Sequence, residues 1–168
     1  VSWDVPALDA DVENKSLSQV ASLIADVVFE DTLLLKNELI NRSNVSGNAK
    51  RASKQFLYDL LQNEGARSLG YTKFPPERAI FETLLLENGM YVESKGAWKV
   101  VKPTPEAGHA AQKLHKLFET TLAFLRSNPD RQVELPEIYS RIWQQEPFGI
   151  KEGLLPILGF IFAKLYAE

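Results

Sequence analysis

Basic side chains are concentrated in one polar stretch, NELINRSNVSGNAKRASKQF, which spans residues 37 to 56. The span from 36 to 54 carries a net charge of +4, so the remainder of the chain carries -7 and the charge is segregated. Cations that alternate with amide and hydroxyl groups are suited to phosphates and to the backbone of a neighbouring protein domain. The candidate contact residues in this basic segment are Arg42, Lys50, Arg51 and Lys54.

Three interpretations of the basic segment stay open at the level of sequence. It is a solvated connection between helices, a docking element for another domain, or a contact to nucleic acid. Lys50 and Lys54 are i, i+4 neighbours on a predicted helix, so they repel each other unless an anion lies between them. If the segment is a recognition element, we expect its four candidate cations to project from one exposed surface.

No catalytic or metal-binding constellation is readable in the sequence. The two histidines, His109 and His115, are six residues apart, which separates them by about 120° around a helix. No HExxH motif and no GxSxG motif accompanies them, so neither a zinc site nor a serine triad is indicated. Glu134, Glu137 and Glu146 flank predicted helix starts, where capping explains them. We therefore predict a chain that is not an enzyme, with no cofactor and no metal.

Composition and charge restrict the class of protein. The 168 residues are 45% apolar and 24% charged with a net charge of -3, as in an ordinary folded chain that is not a general nucleic-acid coat. There is no cysteine, which excludes disulfides and thiolate chemistry. The start, VSWDVPALDADVENK, does not resemble a signal peptide, and the apolar run GLLPILGFIFAKLYAE is too short to span a bilayer. These features predict a cytoplasmic protein without membrane contact.

Helical periodicity governs the first half of the chain. Ser16 and Gln19 form a predicted capping box, followed by apolar residues at helical spacing. A break near 30 to 32 precedes a second predicted helix that ends over 36 to 42. A third runs from Ala49 to Asn63, and its predicted inward residues are Phe56, Leu57, Leu60 and Leu61. A further helix begins at Pro75 or Pro76, ends at Gly89 and has the predicted inward residues Ile80, Phe81, Leu84 and Leu85.

A β-hairpin is the clearest non-helical signal. MYVESKGAWKVVKP places alternating residues on either side of SKG, and Gly96 supplies the left-handed turn position. Lys95 at the turn and Trp98 on the second strand, with Tyr91 opposite, are candidate contacts to nucleic acid or a partner. The alternative for Trp98 is that it holds the hairpin against the helices.

Three helices follow the hairpin. We predict a long one over TPEAGHAAQKLHKLFETTLAFLRS, a short one over LPEIYSRIWQQ, and a last one from Lys151 to the end of the chain. In the short helix Tyr139 and Trp143 are four residues apart, which is typical of core or interface residues. The chain lacks an initiating methionine, and its last helix has no stop signal. We therefore expect a piece of a longer protein, with the apolar face from Leu154 to Leu165 incompletely covered.

The predicted fold is mainly α with one β-hairpin, a helical bundle with one winged-helix-like unit or two in tandem. Its predicted divisions are residues 1–48, an N-terminal helical segment, 49–103, a winged-helix-like unit with the hairpin, and 104–168, a second helical unit. The order helix, helix, hairpin supports the middle division. The tandem form is supported by the similar segments FPPERAIFETLL and FGIKEGLLPILG, which place Ile80 with Leu154 and Leu84 with Leu158.

Three stretches, NELINR, GYTKFPPERAIFETLL and EPFGIKEGLLPILGFIFA, resemble segments of large bacterial P-loop ATP-binding proteins, including proteins of anti-phage defence clusters. In that family they lie in this order in a helical region that follows the ATPase core. The resemblance covers most of residues 37–163 and includes no catalytic motif. It implies an accessory module of an ATP-binding protein, whose partners are other domains or subunits of that protein. The alternative is a nucleic-acid-binding winged-helix module that uses residues 36–54 and the hairpin 90–102.

The first prediction concerns ATP. A GxxxxGK[ST] loop, which cradles phosphates in P-loop proteins, is absent from the sequence. We therefore expect no ATP binding and no ATP hydrolysis by this chain when calorimetry and a phosphate-release assay are applied to it. Micromolar affinity in the calorimeter would contradict this.

Overall fold

Six α-helices and one antiparallel hairpin account for most of the regular structure in residues 15–166, the part of the chain that the computed structural model describes. The helices are α1 (Leu17–Val28), α2 (Gly47–Asn63), α3 (Pro76–Phe81), α4 (His109–Arg126), α5 (Leu135–Ile138) and α6 (Leu155–Tyr166). The strands are β1 (Tyr91–Ser94) and β2 (Ala97–Val100). The mainly helical class with one hairpin is confirmed. The prediction that no signal peptide is present concerns residues outside the described part.

Helix α1 begins at the predicted capping box. The Ser16 side chain accepts a hydrogen bond from the Gln19 backbone N–H at 3.4 Å, and the Gln19 side chain accepts one from the Ser16 N–H at 2.8 Å. This exchange satisfies N–H groups that the first turn of a helix leaves without partners. None of the twelve residues of α1 is fully buried, and Val20, Leu23, Ile24 and Val28 are half-buried.

The second predicted helix, which follows the break near 30 to 32 and ends over 36 to 42, is wrong. From Leu33 to Glu38 buried and exposed side chains alternate strictly, which is the two-residue period of an extended chain. Asn37 is buried here. Its side chain donates to the Thr83 hydroxyl at 3.2 Å and accepts from the Leu39 N–H at 3.1 Å, which begins a tight turn. Leucines at neighbouring positions fit both periods. The hydrogen bond to Thr83, in the turn that follows α3, is made by the extended form.

Helices α2 and α3 build the first half of the core. Phe56 and Leu60 of α2 are fully buried, as predicted, whereas Leu57 is partly buried and Leu61 is exposed, so the predicted inward face of α2 is too wide. Helix α3 continues without interruption into a π-helical turn, Glu82–Leu86. The predicted inward residues of α3 and this turn are all fully buried, namely Ile80, Phe81, Leu84 and Leu85.

The hairpin forms where it is predicted, with Gly96 in the left-handed conformation, and its turn consists of two residues because Ser94 pairs with Ala97. Lys95 and Gly96 have φ values of 55° and 81°, the left-handed conformation that a type I′ turn requires at both positions. In the register Tyr91 pairs with Val100 and Glu93 pairs with Trp98, so Tyr91 lies diagonal to Trp98 and not opposite it. The two rings nevertheless stack, with their centroids 5.6 Å apart.

Glu64, just after α2, connects the hairpin to the last helix. One of its carboxylate oxygens accepts a hydrogen bond from the Val100 N–H at 2.9 Å, and the other pairs with the Lys164 ammonium of α6 at 2.6 Å. The backbone N–H of Trp98 donates to the carbonyl of Gly65 at 3.1 Å. Strand β2, which contains Trp98 and Val100, therefore holds the hairpin against the end of α2.

Two of the later helices begin after their predicted starts. Helix α4 begins at His109 because Gly108, with a φ of 133°, separates it from a short 3₁₀ turn at Pro105–Ala107. Helix α6 begins at Leu155 and not at Lys151, because residues 151–154 form a turn closed by the Leu154 N–H and the Lys151 carbonyl at 2.9 Å. Helix α5 has four residues and then passes into a π-helical turn, Tyr139–Trp143.

The second half of the core is organised around Trp143. This side chain is fully buried, and its indole N–H donates to the Thr121 hydroxyl of α4 at 2.8 Å. The Thr121 hydroxyl in turn donates to the Leu117 carbonyl at 2.8 Å. The buried indole N–H of Trp143 and the buried hydroxyl of Thr121 therefore both have partners, as burial requires.

The expected uncovered face of α6 is wrong. Leu154, Leu155, Ile157, Leu158, Ile161 and Phe162 are all buried. They belong to one continuous hydrophobic cluster that also includes Leu33, Ile40, Phe56 and Phe118. The core thus draws on all three predicted divisions of the chain. Phe118 of α4 and Trp143 both pack edge-on against Phe162 of α6, and α2 also contacts α6.

Gly153 brings the segment before α2 against the start of α6. Its N–H donates to the carbonyl of Arg42 at 3.1 Å. A Cβ atom at this position would lie 2.2 Å from the carbonyl oxygen of Ile40, a distance that no side chain tolerates. Only glycine therefore permits this approach of two backbones.

The second prediction tests this contact. Gly153→Ala should lower the free energy of unfolding by about 1–3 kcal/mol, because the new methyl group must push a backbone carbonyl aside. The matched control is Gly47→Ala at the start of α2, where a Cβ meets nothing within 4 Å. Urea denaturation followed by circular dichroism measures both variants. Equal stability of the two would contradict the close approach.

Candidate functional site

The four predicted cations of the basic segment do not form one surface. Arg42 pairs with Glu38 at 3.2 Å. Lys50 and Lys54 line one pocket beside α2, whereas Arg51 lines another. The expectation that all four project from one exposed surface is therefore wrong, because Arg51 is 100° from Lys50 around the helix axis. Only Lys50 and Lys54 line the same recess.

The pocket that contains these two lysines is called here the α2 pocket. It has a volume of about 380 Å³ and lies between α2 and the turn that precedes α6. Its apolar lining residues are Val45, Leu57 and Pro156, and its polar ones are Lys50, Ser53, Lys54 and Glu152. Gly153 completes the wall. Residues about a hundred positions apart in the sequence thus form one concave surface.

Local structure explains how the lysines reach this pocket. Ser46 caps α2 by accepting a hydrogen bond from the Ala49 N–H at 3.2 Å, which fixes where the helix begins. Lys50, Ser53, Lys54 and Leu57 then follow at helical spacing, so they share one face. The opposite wall is held in place by the Gly153 contact to Arg42 and Ile40 described above.

The charges of the α2 pocket are not balanced within the described chain. Neither Lys50 nor Lys54 is ion-paired with a carboxylate of residues 15–166. Ser53 is 7% exposed, and its hydroxyl oxygen is buried without a hydrogen-bond partner among the same residues. Two unpaired ammonium groups and one unsatisfied hydroxyl therefore surround a largely apolar recess.

Arg51 lies in a different setting, about 100° around the axis of α2 from Lys50. It donates to the Asn48 side chain at 3.3 Å and lines a recess of about 460 Å³ together with Gln55 and Glu77. Arg42, with Glu38 beside it, is also partly neutralised. These two arginines are therefore less available to an anion than the two lysines are.

The hairpin candidates occupy separate positions. Lys95 is exposed at the turn. Trp98 is partly buried against the core and stacked on Tyr91, at an angle of 22° between the rings. One face of the indole is thus occupied by Tyr91, as expected of a residue that holds the hairpin in place.

An exposed apolar surface on α1 was not identified from the sequence. Leu17 is 90% exposed, and Val27 at the other end of the helix is 40% exposed. Leu34, in the segment after α1, is 70% exposed. The helical spacing of the leucines and valines predicts an apolar face. The same spacing occurs whether the face packs inside this chain or against a second protein.

Two of the remaining candidates for chemistry, His115 and Glu137, have structural partners. His115 forms a hydrogen bond through Nδ1 with the Pro103 carbonyl at 3.1 Å. Glu137 forms an ion pair with Arg131 at 2.7 Å, and this contact lowers the pKa of Glu137. Within residues 15–166 no three histidine or carboxylate side chains are grouped to hold a metal ion. No helix in the same range is long and apolar enough to cross a membrane.

Comparisons with protein-family models, curated proteins and solved structures give no significant match to this chain. The site is therefore interpreted from its own geometry.

The third prediction follows from the convergence of the lysines. Lys54→Gln should raise the free energy of unfolding by about 0.2–0.5 kcal/mol at low salt, because it removes repulsion from Lys50 and from Arg51 one turn earlier. Calorimetric melting at low salt and at about 1 M salt, where charges are screened, measures this effect. Lys99→Gln on β2 is the control for loss of a positive charge. A gain that persists unchanged in high salt would contradict the electrostatic origin.

Proposed function

We propose that this chain is a non-catalytic helical module of a larger ATP-binding protein and that it acts through contacts with other domains or subunits of that protein. Within it, α2, α3 and the hairpin form a winged-helix-like unit. The resemblance of three segments to P-loop proteins supports the parentage. The exposed apolar side chains of α1, Leu17 and Val27, support the mode of action.

Helix α1 carries the argument. Twelve residues with apolar side chains at helical spacing and a complete capping box form an amphipathic helix, yet none of them is buried. Most helices obtain their stability from packing one apolar face. The apolar side chains of this well-capped helix are half-buried at Val20, Ile24 and Val28 and exposed at Leu17 and Val27. The exposed ones are suited to packing against a second protein surface.

The charge of α1 indicates what kind of surface that is. Asp26 is the only charged residue between Leu17 and Val28. Nucleic acids and anionic membranes attract lysine and arginine, neither of which occurs in this helix. A helix without cations and with an apolar face fits an apolar groove or helix of another protein domain.

Nucleic-acid binding through residues 36–54 and the hairpin is the alternative function. The separation of Arg51 from Lys50 and Lys54 and the pairing of Arg42 weaken it, since phosphate binding gains from cations that act together. Its signature is binding that falls steeply as salt rises, with a slope of about -0.9 for each duplex phosphate neutralised.

The fourth prediction tests the proposed partner class. The protein is expressed in its source cells with a photo-crosslinking amino acid at position 17. The crosslinked peptides should come from a protein that contains a P-loop, either the same molecule or another subunit. Val27→Asp should reduce the yield by about tenfold or more, because docking would bury an unpaired carboxylate. Lys99→Asp on the hairpin is the control substitution.

Two results would overturn the proposal. One is a crosslinking yield at position 17 that does not exceed the yield from the same amino acid at position 99. The other is crosslinking of position 17 to nucleic acid alone, which would support the alternative function.

A further inference from the structure

We infer that the α2 pocket is a binding site for a small amphiphilic monoanion, a molecule with one carboxylate head and a short hydrocarbon body. The head lies between the ammonium groups of Lys50 and Lys54, and the body packs on Val45, Leu57 and Pro156. This site is independent of the surface on α1 and does not rest on the proposed function.

The two lysines indicate the charge of the head group. They are i, i+4 neighbours that line the same recess, and neither has an ion-pair partner in the described chain. An anion between them replaces a repulsion with two attractions. Lysine ammonium groups rotate freely and bind oxygens as compact charges, so a single carboxylate satisfies both.

Ser53 is a second and independent indication of a ligand. It lies one helical turn before Leu57 in the pocket wall and is more than nine-tenths buried, with no hydrogen-bond partner for its hydroxyl among residues 15–166. The oxygen is shielded from solvent in its present rotamer, so the inference includes a rotation about χ1 to another staggered position. The hydroxyl then donates to the carboxylate.

The walls indicate the rest of the molecule. A volume of about 380 Å³ is at the lower end of the range of about 300–1,000 Å³ for small-molecule sites. Val45, Leu57 and Pro156 offer no hydrogen bonds, so a hydrocarbon body fits them best. Glu152 also lines the pocket and repels a second negative charge. Its carboxylate selects against phosphate esters and nucleotides with several charges.

The fifth prediction uses octanoate as the probe, below its micelle concentration, with the 168-residue chain. Titration followed by ¹H–¹⁵N NMR should shift the amide signals of residues 50–57 and 152–155. Acetate, which lacks the body, octylammonium, which reverses the charge, and inorganic phosphate should not shift them at equal concentration. Calorimetry then gives the dissociation constant for octanoate.

Three variants separate the contributions. Lys50→Gln with Lys54→Gln should weaken octanoate binding by about tenfold or more, since two charge-assisted contacts are lost. Lys73→Gln with Lys99→Gln removes the same charge from exposed positions outside the pocket and should leave the affinity unchanged. Glu152→Gln should strengthen binding, because a repulsive carboxylate is removed. Circular dichroism checks that each variant is folded.

Several outcomes would overturn the inference. If octylammonium binds as tightly as octanoate, the pocket binds hydrocarbon without selecting the charge of the head group. Shifts confined to residues 17–28 would place the ligand on α1. Unchanged affinity in the double lysine variant, or no binding of octanoate at all, would leave the pocket without the proposed ligand.

Discussion

The close approach of Gly153 to the backbone of Ile40 and Arg42 is the contact on which the rest of the structure depends. It brings the turn before α6 against the segment before α2, although the two are more than a hundred residues apart in the chain. The buried residues of α6 can then join those of α2 and α3 in one core. The α2 pocket is a consequence, because its two walls belong to the two segments that this contact unites.

Two helices of the core end in the same unusual way. Both α3 and α5 pass into a π-helical turn. In each turn a backbone carbonyl accepts a hydrogen bond from the side-chain amide five residues later in the chain. Asn88 donates to the Thr83 carbonyl at 3.0 Å, and Gln145 donates to the Ser140 carbonyl at 2.8 Å. A π turn leaves carbonyl groups out of register with the helix. The amides satisfy them, and the chain can then leave each helix toward the hairpin or toward Gly153.

Exposed apolar side chains and unpaired charges lie on different parts of the surface. Helix α1 exposes apolar side chains and carries one charge, whereas Lys50 and Lys54 border a recess whose walls are apolar. The first is suited to a protein surface, where area and shape decide the free energy of association. The second is suited to a small ligand, where a few placed charges decide orientation. The two proposed partners therefore have separate sites on the chain.

Local signals in the sequence were sufficient for the capping box at Ser16, the extent of α2, the Lys95–Gly96 turn and the buried residues of α3, since each depends on neighbours within a few positions. The extended course of residues 33–38, the cover over α6 and the α2 pocket depended on tertiary structure. Asn37 is buried because Thr83 accepts its hydrogen bond, and Gly153 matters because Ile40 lies against it. Leucine spacing fits a helix or a strand equally well over so short a stretch, and only packing between distant segments decided which formed.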